Sequence, residues 1–225
     1  MGLPSGRVTF AFVDVVGSTR ALAEHGDEYA VALRAMHETV GRIVGEYGGH
    51  VVGTEGDSAF LAFQEAESAV VALCALQAEL EGEREGLRLR VRAGAHTGAA
   101  IPVGREYVAL AVHVAARVSA AANAGQVLVS GAVVHELPSP AARSLGRFEL
   151  RDVSEPVDLW LVAGDETPPR ARPELRTNAE SPHSSFVGRT GELRRLQERL
   201  AQPGLTTVVG PGGVGKTRLV TELCL

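Results

Sequence analysis

The sequence predicts an α+β fold of order βαββαβ, followed by a linker and by the start of a separate α/β domain. Periodic apolar segments before residue 100 predict the first domain. The stretch 163–183 then contains four prolines and lacks any periodic apolar pattern, as a linker does. A glycine-rich turn between an apolar run and a helical segment predicts that a second domain begins there.

Each element of the first domain has its own local signal. Gly48-Gly49 ends a helical pattern, and Glu55-Gly56-Asp57 separates two β runs as a hairpin turn does. With further elements after residue 100, the order is that of a ferredoxin-like domain. The predicted elements are strand 8–13, helix 27–47, strands 50–54 and 58–63, helix 65–80, strand 87–95, helix 110–122, strand 126–130 and a terminal hairpin over 148–161.

The strand 87–95 alternates most clearly. Its odd-numbered positions are leucine, valine or alanine, whereas Arg88, Arg90 and Arg92 occupy even-numbered positions. This pattern predicts one covered and one solvent-exposed face. His96 continues the arginine parity, so we expect it to lie off the core face and to have a structural role.

Composition narrows the function classes. A net charge of −5 argues against broad electrostatic binding to nucleic acid or to anionic membranes. The sequence has neither a signal-peptide pattern nor an apolar run of about 18 residues, so we expect a soluble cytoplasmic protein. Cys74 and Cys224 lie in apolar helix-like stretches and are expected to be small core residues.

Two carboxylates and a glycine turn form the first candidate site. Asp14 directly follows the first strand, and Gly17-Ser18-Thr19 opens a helix whose backbone N–H groups would favour phosphate. Asp57 lies in the hairpin turn that the fold would bring beside that strand. Such carboxylates next to a phosphate cradle suit paired magnesium ions. The alternative is that Asp14 caps a helix and that Asp57 is an ordinary turn residue.

Four motifs occur in a characteristic order: VTFAFVDVVGSTR, GGHVVGTEGDSAFLAF, VRAGAHTGAA and VAARVSAAANAGQVLVS. Together with the closing LGRFELRDVSEPVDLWLV, they resemble the class III adenylate and guanylate cyclases over residues 7–162. The resemblance predicts a nucleotidyl cyclase domain over residues 1–162.

The resemblance implies a homodimer whose active sites are shared between subunits. One subunit would hold two Mg²⁺ or Mn²⁺ ions through Asp14, Asp57 and the backbone carbonyl of Val15. The 3′-hydroxyl of ATP, or of GTP, would attack the α-phosphorus to give a cyclic monophosphate and pyrophosphate. Arg117 from the other subunit would stabilise charge that develops on the phosphate.

Three positions depart from the family pattern. Gly53 stands where adenylate cyclases carry a lysine that reads adenine, and Glu106 replaces the partner aspartate. His113 replaces the asparagine that orients the ribose, and it would either bind the ribose or simply pack. Three interpretations stay open: a slow cyclase of relaxed base selectivity, a pseudocyclase that binds nucleotide as a regulatory module, and pairing with a different subunit.

The glycine-rich turn fits GxxxxGK[ST] in full. Its phosphate-binding residues would be Gly210, Gly213, Gly215, Lys216 and Thr217, after a predicted strand over 205–209.

With the upstream SSFVGR, residues 184–225 resemble the start of a P-loop signalling ATPase of large bacterial regulators. We expect this part to be the truncated start of such a domain, without ATPase activity, and we expect residues after about 163 to be poorly ordered in isolation. DNA binding would belong only to domains further downstream.

Overall fold

The computed structural model of the chain describes residues 2–81, 87, 89–104, 106–138, 142–173, 188–200 and 204–224. The chain divides into two compact units, Met1–Glu174 and Leu175–Leu225. The elements of the first unit are β1 Gly6–Val15, α1 Ser18–His25, α2 Asp27–Glu46, β2 His50–Glu55, β3 Ser58–Phe63, α3 Ala66–Leu80, β4 Val91–Ala100, β5 Pro102–Val103, β6 Glu106–Tyr107, α4 Leu110–Ala121, β7 Val127–Ser130, α5 Gly131–Val134, β8 Arg143–Glu149, β9 Val157–Ala163 and β10 Arg172–Pro173. The second unit contains α6 Thr190–Leu200 and α7 Lys216–Cys224.

The main sheet has the strand order β10-β8-β9-β7-β4-β1-β3-β2. Its β4-β1-β3-β2 half is antiparallel throughout and, with the intervening helices, confirms the predicted βαββαβ arrangement. The predicted hairpin is also confirmed, because Gly56 adopts a φ of 58° in the two-residue turn between β2 and β3. Strand β7 pairs parallel to β4 and continues the sheet toward β9 and β8.

Helices cover both faces of this sheet. The odd-numbered side of β1, which includes Ala11 and Val13, packs against the buried apolar stripes of α2 and α3. On the other side, Val8 and Phe10 pack beneath α4. Burying one large side chain of this kind stabilises the fold by about 1.5–3 kcal/mol, so the central strand is fixed in register by both layers.

The predicted strand 87–95 is displaced toward the C-terminus. Strand β4 begins at Val91, and Arg88 lies outside the described residues. The prediction that one face is solvent-exposed holds at Arg90 and is wrong beyond it. There the face is covered by α4, which comes so close that Gly94 is buried and His96 is half-buried.

Residues 164–173, which we call the strap, belong to the linker expected over 163–183, but they are held against the first unit. The amide of the fully buried Gln126 donates to the carbonyl oxygens of Asp165 and Thr167 at 2.9 and 2.7 Å. Asn123 donates to the carbonyl of Pro168 at 2.8 Å. These polar anchors fix the strap to the first unit, whereas residues 174–187 lie outside the described residues.

In the second unit, α6 packs against α7, and Leu219 is buried. The predicted strand over 205–209 is wrong: these residues are in no regular element, and Leu205 and Val209 are 96% and 83% exposed. A strand needs a hydrogen-bonding neighbour, and residues 188–200 and 204–224 provide only helices and connecting segments. In the described part of the chain, no helix has the length and apolar character that crossing a membrane requires.

Candidate active site

Asp14 and Asp57 are brought together by strand pairing. The register of β1 and β3 places Asp14 opposite Ser58, and the backbone N–H of Val15 donates to the carbonyl oxygen of Asp57 at 3.2 Å. The negative charges of both carboxylates also affect the pKa of Tyr29. Burial raises the pKa of Tyr29, and the negative charges of Asp57 and Asp14 raise it further, against a hydrogen bond with Ser18. The backbone at Asp14 therefore lies next to the hairpin turn that carries Asp57.

The turn after β1 lies beside these carboxylates. Gly17 adopts a left-handed φ of 79°, and α1 begins at Ser18 with no acidic residue in its first turn. A cavity of about 360 Å³ opens next to this helix end, and its lining is half polar or glycine and half apolar or aromatic: Ser18, Thr19, Gly56 and Asp57 with Leu22, Tyr29, Ala30 and Leu33. The N-terminal N–H groups of a helix attract anions, so the turn suits a phosphate group.

The oxygen donors fit a hard divalent cation. In the described part of the chain, no three His, Cys, Asp or Glu side chains group to hold a metal. Mg²⁺ needs no such cage, because it is commonly held by one or two carboxylates together with water and substrate phosphates. Asp14, Asp57 and the carbonyl of Val15 supply donors of this type.

Arg92 is a site residue that the sequence analysis did not identify. Strand pairing places Arg92 directly opposite Asp14, and its Nε and Nη2 donate to Asp14 Oδ2 at 2.9 and 2.6 Å. Its Nη1 donates to the carbonyl oxygen of Ala120 at the end of α4. Charge-assisted bonds of this kind hold the Asp14 carboxylate in place. The even-numbered parity shared by Asp14 and Arg92 was visible in the sequence, but the register that pairs them was not.

The residues expected from α4 lie on a second surface. His113 is exposed, so it does not pack into the core of this chain. Arg117 Nη2 donates to Asp152 Oδ2 at 2.5 Å. Among the described residues, no hydrogen bond or ion pair connects His113 or Arg117 to Asp14 or Asp57.

The two positions expected to read the base also lie at the surface. Gly53 is exposed beside a β-bulge in β2, and the space where a side chain would begin is open. Glu106 is exposed in β6, just before α4. The chain therefore presents two half-sites, one around the paired aspartates and one along α4.

His96 lies away from the half-site around the paired aspartates, and its contacts are those of a structural residue. Its Nδ1 lies 2.8 Å from Ser130 Oγ, on the side of β4 that α4 covers. Burial, together with the smaller effect of the nearby positive charge of Arg7, lowers the pKa of His96 from 6.5 to about 4.

This pKa predicts a pH-dependent stability. Because the folded-state pKa is lowered, the stabilising contribution is fully present above 6.5 and is lost as the pH falls toward 4. Between pH 7 and pH 5, we expect the free energy of unfolding to fall by about 2 kcal/mol from this group. Urea titrations at both pH values would measure it, with His96→Gln as the non-titrating variant. An equal loss in the wild type and the variant would contradict the prediction.

In the second unit, the glycine-rich turn encloses its lysine. Gly213 and Gly215 have φ angles of 74° and 82°, and α7 begins at Lys216. Lys216 Nζ donates to the carbonyl oxygens of Gly210 and Pro211 at 2.9 and 2.7 Å. Thr217 follows in the first turn of α7. The turn leads directly into α7, and the described residues before it, 204–209, form no strand.

Comparison with known proteins gives a consistent result for the first unit. Residues 3–162 match the family described as the adenylate and guanylate cyclase catalytic domain. The chain is 33% identical over 206 residues to an uncharacterised protein of Mycobacterium tuberculosis, covering 84% of this chain and 70% of that protein. It is also 30% identical over 203 residues to a receptor-type adenylate cyclase of Trypanosoma congolense. That match covers 68% of this chain but only 27% of the longer relative.

Solved structures share the fold. An adenylate cyclase of Trypanosoma brucei in its monomeric state superposes with a TM-score of 0.69 at 26% identity, covering 76% of this chain and 95% of that one. The guanylate cyclase domain from Catenaria anguillulae in complex with GTP gives a TM-score of 0.63 at 17% identity, with 71% and 98% coverage.

Proposed function

Since the chain belongs to the adenylate and guanylate cyclase catalytic domain family, we propose that its first unit converts ATP to cyclic AMP and pyrophosphate. The observation that carries the proposal is the convergence of Asp14 and Asp57 beside the N-terminus of α1. Without carboxylates at both positions, the same fold would be only a scaffold.

In this proposal, different groups of the chain have different roles. Asp14, Asp57 and the carbonyl of Val15 would hold two Mg²⁺ or Mn²⁺ ions. These ions supply the positive charge that activates the ribose 3′-hydroxyl and neutralises the triphosphate. The N–H groups after Gly17 bind the phosphates. Arg92 orients the Asp14 carboxylate through two charge-assisted hydrogen bonds.

Arg117 has the chemistry to stabilise the transition state, because a guanidinium presents several donors to phosphate oxygens. It is paired with Asp152, and the two side chains are 38% and 63% exposed. An ion pair this exposed contributes little stability, so Arg117 exchanges Asp152 for a phosphate at small cost. Asp152 is therefore the partner of the guanidinium when no phosphate is bound.

A homodimer would join the two half-sites. Residues 101–104 and 106–110, which we call the arm, expose four apolar side chains at 62–80%: Ile101, Val103, Val108 and Leu110. The arm is anchored by Tyr107, whose hydroxyl donates to the carbonyl of Pro4 and whose ring packs edge-on against Phe10. A fixed apolar surface next to α4 is typical of a protein interface, and we propose that a second copy covers it.

The arm gives a direct test of this dimer. The double substitution Val108→Asp and Leu110→Asp should shift the chain toward monomer, because two desolvated carboxylates would oppose association. Analytical ultracentrifugation would measure the shift, and product formation should fall with it. Val71→Asp on α3, where valine is 41% exposed, is the control. An unchanged dimer in the arm variant would place the interface elsewhere.

Base selectivity is proposed to be relaxed. Gly53 has no side chain to donate to a base, and Glu106 and His113 differ from the family pattern. The open space at Gly53 also supports a second candidate function, a pseudocyclase that binds nucleotide and regulates a downstream module.

Product formation separates the two functions. The full chain would be incubated with ATP or GTP and with Mg²⁺ or Mn²⁺, and cyclic nucleotide would be quantified, with Asp14→Ala as the control. Product that disappears in the variant supports the cyclase. Metal-dependent nucleotide binding without product, lost in the variant, supports the pseudocyclase.

For the second unit, we propose that residues 184–225 begin a P-loop ATPase domain of a bacterial cytoplasmic regulator. The complete GxxxxGK[ST] motif and the left-handed Gly213 and Gly215 support this assignment. Any DNA binding would belong to domains further downstream in such a regulator.

A further inference from the structure

A cavity of about 540 Å³ lies between the C-terminal half of α4, the end of β8 and the strap. Four arginines line it: Arg117, Arg151, Arg170 and Arg172. Its remaining lining is small or apolar, apart from Glu149. The arginines come from three separate parts of the sequence, so the cluster exists only because the strap docks on the domain.

The cavity is positively charged in a chain of net charge −5. Its acidic partners are Asp152, which lies 2.5 Å from Arg117 and 3.6 Å from Arg151, and Glu149, which lies 4.0 Å from Arg172. Four guanidinium groups against two carboxylates leave two positive charges. An anion is therefore attracted to this cavity, although the chain as a whole would repel it.

The strap backbone at both arginines, and the side chain of Arg170, are held in position before any ligand binds. The backbone N–H of Arg170 donates to the carbonyl of Ala121 at 2.7 Å, and its Nε donates to Asn123 Oδ1 at 3.0 Å. Asn123 is in turn held by the buried Gln126. Arg172 pairs with Glu149 in the β10–β8 ladder. Such preorganisation lowers the entropic cost of binding.

We propose that this cavity binds a polyphosphate group, with Arg170 and Arg172 as its new ligands. Guanidinium groups bind phosphate oxygens through paired, charge-assisted hydrogen bonds, and several of them suit a chain of linked phosphates. Both residues lie beyond the family match, which ends at residue 162. The polyphosphate comes from one of two sources: the triphosphate of a substrate nucleotide, which rests on the proposed function, or a separate effector.

The binding test uses inorganic tripolyphosphate as the probe. Isothermal titration of the full chain in EDTA at low salt measures binding without metal ions. Every protein carries Lys216→Ala, so that the glycine-rich turn of the second unit does not contribute. We expect Arg170→Gln with Arg172→Gln to weaken binding by about tenfold for each arginine. The control pair is Arg194→Gln with Arg195→Gln on α6, which removes the same charge from exposed positions.

The single variant Arg172→Gln guards against a folding artefact, because its side chain is 56% exposed and its ion pair is long. It should weaken binding while the circular dichroism spectrum stays unchanged. No binding by the protein with intact arginines, equal binding by the strap variants, or an equal loss in the α6 control would overturn the proposal.

The same strap variants identify the source. If the ligand is the substrate triphosphate, their KM for ATP rises in parallel with the loss of tripolyphosphate binding. If it is a separate effector, binding is lost while KM is unchanged. If the chain made no cyclic nucleotide at all, the proposed function would be wrong, but the result of the tripolyphosphate titration would still hold.

Discussion

Replacing Asp57 by asparagine is expected to lower the rate of cyclic nucleotide formation by about a thousandfold or more. The substitution keeps the size of the side chain but removes a charge from the two-carboxylate cluster at the end of β1. Loss of a ligand that holds a divalent cation costs several kcal/mol of transition-state stabilisation, and about 4 kcal/mol corresponds to a thousandfold in rate. Initial rates with saturating ATP and Mn²⁺ would measure the effect.

The control is Glu55→Gln, because Glu55 is an exposed carboxylate at the end of β2, two residues before Asp57 in the same hairpin. Its rate should stay close to that of the wild type. A second readout separates chemistry from folding: the midpoint of thermal unfolding should be nearly equal in the two variants. If Asp57→Asn retained most of its activity, the paired carboxylates would not hold the catalytic ions.

The first half-site could be predicted because its signals are local. Asp14 and the Gly17-Ser18-Thr19 turn are contiguous with β1, and Asp57 occupies a two-residue hairpin that Gly56 makes recognisable. The strand and helix periods of the first 100 residues then bring these segments together. The alternative, a helix cap and an ordinary turn residue, was disfavoured by the resemblance of the surrounding motifs to the cyclase family.

Arg92 could not be found in this way, because its role depends on a strand register. It faces Asp14 across the β1–β4 pair, 78 residues apart in sequence. A shift of one residue would turn its guanidinium to the opposite face. The alternation of strand 87–95 predicted an exposed arginine, since a periodic pattern contains no information about which helix covers the second face.

The strap and the second unit show what composition and a local apolar run cannot predict. Proline content predicted a linker, but the polar side chains of Asn123 and Gln126 supply partners for the strap carbonyls. Composition does not reveal such distant partners. At 205–209 the apolar run resembles a strand, yet the described parts of the second unit contain no neighbouring strand to pair with it.

Replacing Gly94 by alanine is expected to lower the free energy of unfolding by about 3 kcal/mol, at the upper end of the usual cost of overpacking. A Cβ at this position would lie 2.2 Å from the backbone nitrogen of Ser119 and 2.4 Å from its Cα. Because these are backbone atoms of α4, no side-chain rotation relieves the clash. The helix must move away from β4, and the hydrogen bond from Ser119 Oγ to the carbonyl of Phe12 at 3.2 Å must stretch with it.

The matched control is Gly41→Ala in the middle of α2, where a Cβ meets nothing within 4 Å. Alanine there should raise the free energy of unfolding by about 0.5–1 kcal/mol, because it restricts the unfolded chain and favours the helix. Urea titrations of both variants would therefore move in opposite directions from the wild type. Since α4 also carries His113 and Arg117, Gly94→Ala should reduce cyclase activity under conditions where the variant is still folded, whereas Gly41→Ala should not. Equal stability of the two variants would mean that α4 yields without cost, and the close β4–α4 contact would then not position the second half-site.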